Sequence, residues 1–176
     1  GSVNAMNNLG YIKMLQQQVE SAKELLHEAS NRGSVDALYN IAQLYEKGLG
    51  TTPSIDLAVK YYQRAADLGH ARAQKQIGDI LYSGAEGVEQ DRVQAAHYYY
   101  LSAVQGVPDA QNNLGIMHEE GIGVVQDLVK AVKWYKEAAQ NGHVEAIYNL
   151  ALMVESGKGC AKNKAEAYRL FRAAST

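Results

Sequence analysis

Apolar residues along this chain return at three- and four-residue steps. Ala37, Ile41, Leu44 and Tyr45 make one such stripe, and Ala58, Tyr61, Tyr62, Ala65 and Ala66 make the next. That spacing gathers side chains on one face of a helix. Between the two stripes stand Gly48 and Gly50. Glycine ends helices readily because it takes positive φ at little steric cost. The pattern predicts an amphipathic helix, a glycine turn and a second amphipathic helix.

This unit repeats. "AVKYYQRAADLGH" at 58–70 returns, lightly changed, as "AVKWYKEAAQNGH" at 131–143. Units begin at Ala37, Ala73, Ala110 and Ala146, with intervals of 36, 37 and 36. The extra residue in "SGAEGV" accounts for the longer interval. Each unit has an apolar residue four after its alanine (Ile41, Ile77, Leu114, Leu150) and then a small one (Ala42, Gly78, Gly115, Ala151). The small residues allow paired helices to approach closely. Ser54, Asp91, Asp127 and Asn163 each lie four before the alanine of the second helix and are expected N-caps, with Glu166 placed for a capping box. One helix pair cannot bury its apolar face alone, so the units must stack.

Residues 34–176 are therefore read as four repeats, and 1–33 as an N-terminal helical capping segment. "SAKELLHEASNRGSVDA" at 21–37 still reads as a second helix, but no Gly-x-Gly turn precedes it. Leu9, Ile12, Leu15, Val19, Ala22, Leu26 and Ala29 form one unbroken stripe. It predicts either one long helix over 4–31 or two helices with a tight join.

The third unit, "AQNNLGIMHEEGIGVVQDLVKAVKWYKEAAQNGH", carries a pattern A-x-x-x-L-G…G-x-G-V-x-x-D-x-x-K-A-x-x-W-Y-x-x-A-A-x-x-G that resembles the Sel-1-like repeat family, a relative of the tetratricopeptide repeats. The resemblance covers about 34–176. A tyrosine usual eight after the first alanine is present as Tyr45 but replaced by Leu81, His118 and Val154, and Cys160-Ala161 stands where a valine is expected. The resemblance implies an all-α fold: a right-handed α-solenoid of stacked antiparallel helix pairs. It also implies a non-enzymatic adaptor or scaffold that holds a peptide or helix of a partner protein in a concave groove lined by the first helices.

On those helices the residues off the apolar stripe become the candidate contacts: Tyr39, Asn40 and Gln43; Lys75, Gln76, Asp79 and Tyr82; Asn112, Asn113 and Ile116; Tyr148, Asn149 and Leu152. Asn40, Gln76, Asn113 and Asn149 share one offset. An amide both donates and accepts, so such a ladder can pair with an extended peptide backbone. Equally, each amide can tie its own helix to the next. Ile116, Leu152, Tyr148 and Tyr82 could form an apolar patch in the same groove.

Composition narrows the rest. The formal net charge is −2, which argues against a nucleic-acid footprint or a polybasic membrane patch. No apolar run reaches the length of a membrane span. Gly1-Ser2 reads as a cloning remnant, so the missing leader says nothing of cellular address. The single cysteine, Cys160, fits a reducing compartment without fixing one. "HEE" at 118–120 lacks the second histidine of a zinc motif, and "GLG", "GIG" and "GKG" follow no strand. No cofactor or metal is expected. The cysteine-rich relatives discussed as hydrolases carry a cysteine pair per repeat, which this chain lacks. A homodimer through the end at 165–174 and the aberrant first helix is the further possibility.

Overall fold

The computed structural model describes residues 2–175. Those residues form ten α-helices: α1 (Val3–Leu15), α2 (Val19–Asn31), α3 (Val35–Lys47), α4 (Ile55–Asp67), α5 (Ala71–Ser83), α6 (Arg92–Ala103), α7 (Pro108–Glu120), α8 (Leu128–Gln140), α9 (Val144–Ser156) and α10 (Lys164–Ala174). Among the described residues there is no strand, only an isolated bridge between Ala85 and Val88 in the longer turn. The expectation of an all-α stack of helix pairs holds. Of the two readings kept open for 4–31, two helices with a tight join is the one observed.

The predicted caps are in place. Ser54, Asp91, Asp127 and Asn163 accept backbone N–H groups of Leu57, Gln94, Lys130 and Glu166. Glu166 completes only half of a capping box, since its side chain pairs with Arg169 at 2.8 Å. First helices are capped differently. Ser34 caps α3, but His70 and His143 cap α5 and α9 by accepting the Ala73 and Ala146 N–H groups at Nδ1, each at 3.1 Å. Gly48, Gly121 and Gly157 close α3, α7 and α9 in the left-handed conformation. The chain after each turn is tied back: Ser54 N–H to the Tyr45 carbonyl, Asp127 to His118, Asn163 to Val154.

The chain divides into two compact units between Glu89 and Gln90. In the first, α1 through α5 pack each against the next. Its core joins Ala22, Leu26 and Ala29 of α2 to Ala37, Ile41 and Leu44 of α3, all essentially inaccessible. In the second, Ala131, Tyr135 and Ala138 of α8 meet Ala146, Leu150 and Met153 of α9, with Ala167 of α10 closing the cluster. Full burial of one such large side chain contributes roughly 1.5–3 kcal/mol. Aromatic hydroxyls are satisfied inside the pair: Tyr62 donates to Glu46 and Tyr135 to Glu119, both at 2.7 Å. Burial, and then those carboxylates, push both phenols well above the ordinary tyrosine range.

Candidate functional site

In the first unit, the first helices α1, α3 and α5 together shape an open cleft of about 510 Å³. α1 contributes Asn7, Asn8 and Tyr11; α3 contributes Asp36, Tyr39, Asn40 and Gln43; His70, Ala71 and Arg72 close it at the start of α5. Asn7 and Asn40 are buried in its lining, while Asn8, Tyr11, Asp36 and Arg72 lie off the buried stripes and stay exposed.

Tyr39 sits at the centre. Its ring stacks on His70 (centroids 4.6 Å apart) and tilts against Tyr62, and its hydroxyl accepts from the Gln43 amide at 3.3 Å. Burial raises its acidity threshold above the ordinary tyrosine value. His70, fixed by its cap bond, faces Asp36 through Nε2 at 3.3 Å. Nδ1 must be unprotonated to accept, so Nε2 carries the hydrogen and donates to the carboxylate. Burial lowers the His70 pKa, which favours this neutral form. Asn8, Tyr11, Asp36 and Arg72 are exposed. The cleft is thus walled by amides and phenols, with one carboxylate and one guanidinium at its rim.

The cleft offers hydrogen-bond donors and acceptors beside two phenol rings. Among the described residues no group of three or more His, Cys, Asp and Glu side chains is gathered so as to hold a metal ion. None of the helices described is long and apolar enough to cross a membrane.

A family model described as Sel1 repeat matches residues 3–34, 35–70, 71–107, 108–143 and 144–176. The chain belongs to the Sel1 repeat family. It is 29% identical, with a TM-score of 0.91 over 99% of this chain and 38% of the other, to a protective antigen of uropathogenic Escherichia coli displaying an SLR fold. A Sel1 repeat protein from Oxalobacter formigenes is 27% identical with a TM-score of 0.90, over 96% of this chain and 69% of that one. Among curated relatives, chitin synthase regulatory factor 2 of Schizosaccharomyces pombe is 30% identical over 58% of this chain and 20% of its own length. The ERAD-associated E3 ubiquitin-protein ligase component HRD3B of Arabidopsis thaliana is 41% identical over 38% of this chain and 11% of its own. The chain thus spans a fifth or less of these two curated relatives. Sel1-repeat relatives of this kind are regulatory or adaptor proteins, and proteins with these repeats generally mediate protein–protein interactions.

The Sel1 boundaries show what the sequence pattern concealed. The model counts 3–34 as a repeat of its own, beside the four repeats expected over 34–176. Aligning Val3 with Val35 puts Gly10 of α1 at the small-residue position of Ala42, and Asn7 and Asn8 at the positions of Tyr39 and Asn40. The cleft residues of α1, and His70, were therefore missed; the paired asparagines at matching helix positions were the available signal.

The candidate contacts fall into groups. Tyr39, Asn40 and Gln43 line the cleft. Asn40 is buried and donates to Asn7 at 2.9 Å, and Asn149 donates to Asn112 at 3.1 Å. Both bonds run from the ladder position of one repeat to the residue before that position in the preceding repeat. Asn112 is only 2% exposed, so its amide belongs to the seam between repeats. Lys75 and Asp79 pair with each other at 2.6 Å, Gln76 hydrogen-bonds the Tyr62 hydroxyl, and these three, with Tyr82, lie outside the cleft. In the second unit Ile116 is half-buried against the α8–α9 core, Asn113 is half-buried, and Tyr148 and Leu152 stand exposed one turn apart on α9. Two buried glutamines also serve the seams: Gln74 and Gln111 donate to the Ala66 and Ala103 carbonyls at the end of the preceding second helix.

Proposed function

We propose that this chain is an adaptor module that holds an extended segment of a partner polypeptide in the cleft formed by α1, α3 and the start of α5. The observation that carries this reading is the cleft itself: about 510 Å³, open, and lined by side-chain amides, two tyrosines and an exposed arginine. Amide and phenol groups match the alternating donors and acceptors of a peptide backbone. Tyrosine supplies large contact area at a small cost in side-chain freedom, and arginine offers planar donors to a partner carboxylate or carbonyl. The adaptor role of Sel1-repeat relatives supports the same reading.

The test is selection of binders from a random peptide display library, followed by calorimetric titration. Tyr11→Ala and Arg72→Glu change exposed cleft residues and leave the core untouched. Each should weaken a selected peptide at least about tenfold, about 1.4 kcal/mol. Tyr148→Ala, in the other unit, should bind it as the parent does. Full affinity in both cleft variants would move the binding site off this cleft.

A further inference from the structure

α1 and α10 carry faces whose counterparts on α3 and α8 are covered. On α1, Ala5, Leu9 and Ile12 occupy the positions that Ala37, Ile41 and Leu44 hold on α3. The α3 residues are sealed under α2, the second helix of the preceding repeat. On α1, among the described residues, the stripe is left half open: Leu9 and Ile12 are 46% and 48% exposed.

The opposite end shows the complementary surface. Phe171 and Ala174 of α10 take the positions of Tyr135 and Ala138 of α8, which are buried against α9. Here they are only partly covered. Tyr168 stands where Val132 is buried, and is 65% exposed. Beside them on α9, Tyr148 packs edge-on against Phe171 and remains exposed with Leu152. In the interior, a second helix of this kind covers a first helix of the α1 kind at every seam between repeats within each unit: α2 on α3, α4 on α5, α6 on α7 and α8 on α9.

We propose that these faces dock on one another between copies of the chain, head to tail: α10 and the exposed edge of α9 of one copy cover α1 of the next. The contact continues the seam the chain already uses internally. It places Asn8, which holds the ladder position of Asn40 and Asn149, beside Tyr148 of the second copy, as Asn40 meets Asn7 and Asn149 meets Asn112. The docked seam lacks one interior feature. Within the stack, a turn glycine of the later repeat settles on the start of the earlier second helix, as Gly50 does on Val19 and Gly159 on Leu128. The α1–α2 join, Gln16 to Gln18, is too short to reach back in that way. Docking is therefore weaker than an internal seam and emerges at high concentration. Because the contact is heterologous, each docked pair leaves one free head and one free tail.

Sedimentation equilibrium from about 10 µM to about 1 mM reads this directly. The weight-average mass of the parent chain should rise with concentration. Leu9→Glu damages the head and Tyr168→Glu the tail; both positions are exposed, and circular dichroism with a thermal melt checks that each variant folds, with Ile12→Glu as the substitute head variant. Either variant alone should stay monomeric. An equimolar mixture should form a one-to-one pair and go no further, because the intact tail of Leu9→Glu meets the intact head of Tyr168→Glu. A parent that is monomeric throughout overturns the proposal and leaves the end faces to further repeats of a longer chain. Association that survives in one variant alone, or a mixture that fails to pair, overturns the head-to-tail arrangement.

Discussion

His70 does for α5 what Ser34 does for α3: its side chain accepts the third amide of the helix. The substitution of imidazole for hydroxyl adds a titration. Protonating Nδ1 removes the acceptor and forfeits the cap, a loss of about 1 kcal/mol. Burial lowers the His70 pKa below the ordinary 6.5; the carboxylate of Asp36 on α3 opposes that, and the charge of Arg72 on α5 adds to it. With the net shift downward, the unfolded chain takes up this proton more readily than the folded one. Stability from this group is complete above pH 6.5 and is lost as pH falls through the lower folded value. His70→Ser keeps a capping oxygen and discards the titration. Chemical denaturation of both proteins between about pH 7 and about pH 5 should show a steeper acid loss in the parent, the difference approaching about 1 kcal/mol. Parallel pH profiles would mean that the imidazole leaves the cap before it protonates.

At the scale of the helix pair, turn glycines separate into two kinds. Gly142, after α8, has φ of +79° and open space where a Cβ would stand, so alanine there meets only backbone strain, about 1 kcal/mol. Gly123, in the α7–α8 turn, has φ of +67°, and an added Cβ would fall on the Arg92 carbonyl at the start of α6. Backbone cannot step aside as a side chain can, so Gly123→Ala should cost about 3 kcal/mol or more. Urea denaturation of the two variants should rank them in that order; equal losses would show that the turn shifts away from α6 without harm. These turns and the caps of the second helices were legible in the sequence because their chemistry is local. The direction of the amide ladder was not. Asn40 and Asn149 could point into a groove or along the stack, and their partners Asn7 and Asn112 lie 33 and 37 residues earlier in the chain. The cap histidines were overlooked because histidine is not among the preferred N-cap types. The repeat at 3–34 was obscured because its join has no glycine pair; Gln17 adopts a positive φ of 60° in its place.

For the molecule as a whole, stability in a repeat stack is a sum over neighbouring elements rather than a property of one central core. That makes local stability depend on how many seams an element closes. α8 and α10 are second helices built on the same pattern, yet among the described residues α8 packs extensively against both α7 and α9 while α10 does so only against α9. α10 should open by fraying that leaves α8 intact, so its amides should exchange with solvent deuterium at least about tenfold faster than those of α8. Equal exchange rates in the two helices would mean that the second unit opens as one block, and the nearest-neighbour description would fail for this chain. Concentration gives the same experiment a second axis. If a second copy covers α1 and α10, raising the protein into the range where its mass increases should slow exchange in those two helices. α8, whose seams are already closed, should keep its rate. Slowing spread evenly over every helix would instead point to nonspecific association, because a contact confined to the two ends can protect only the helices that form it.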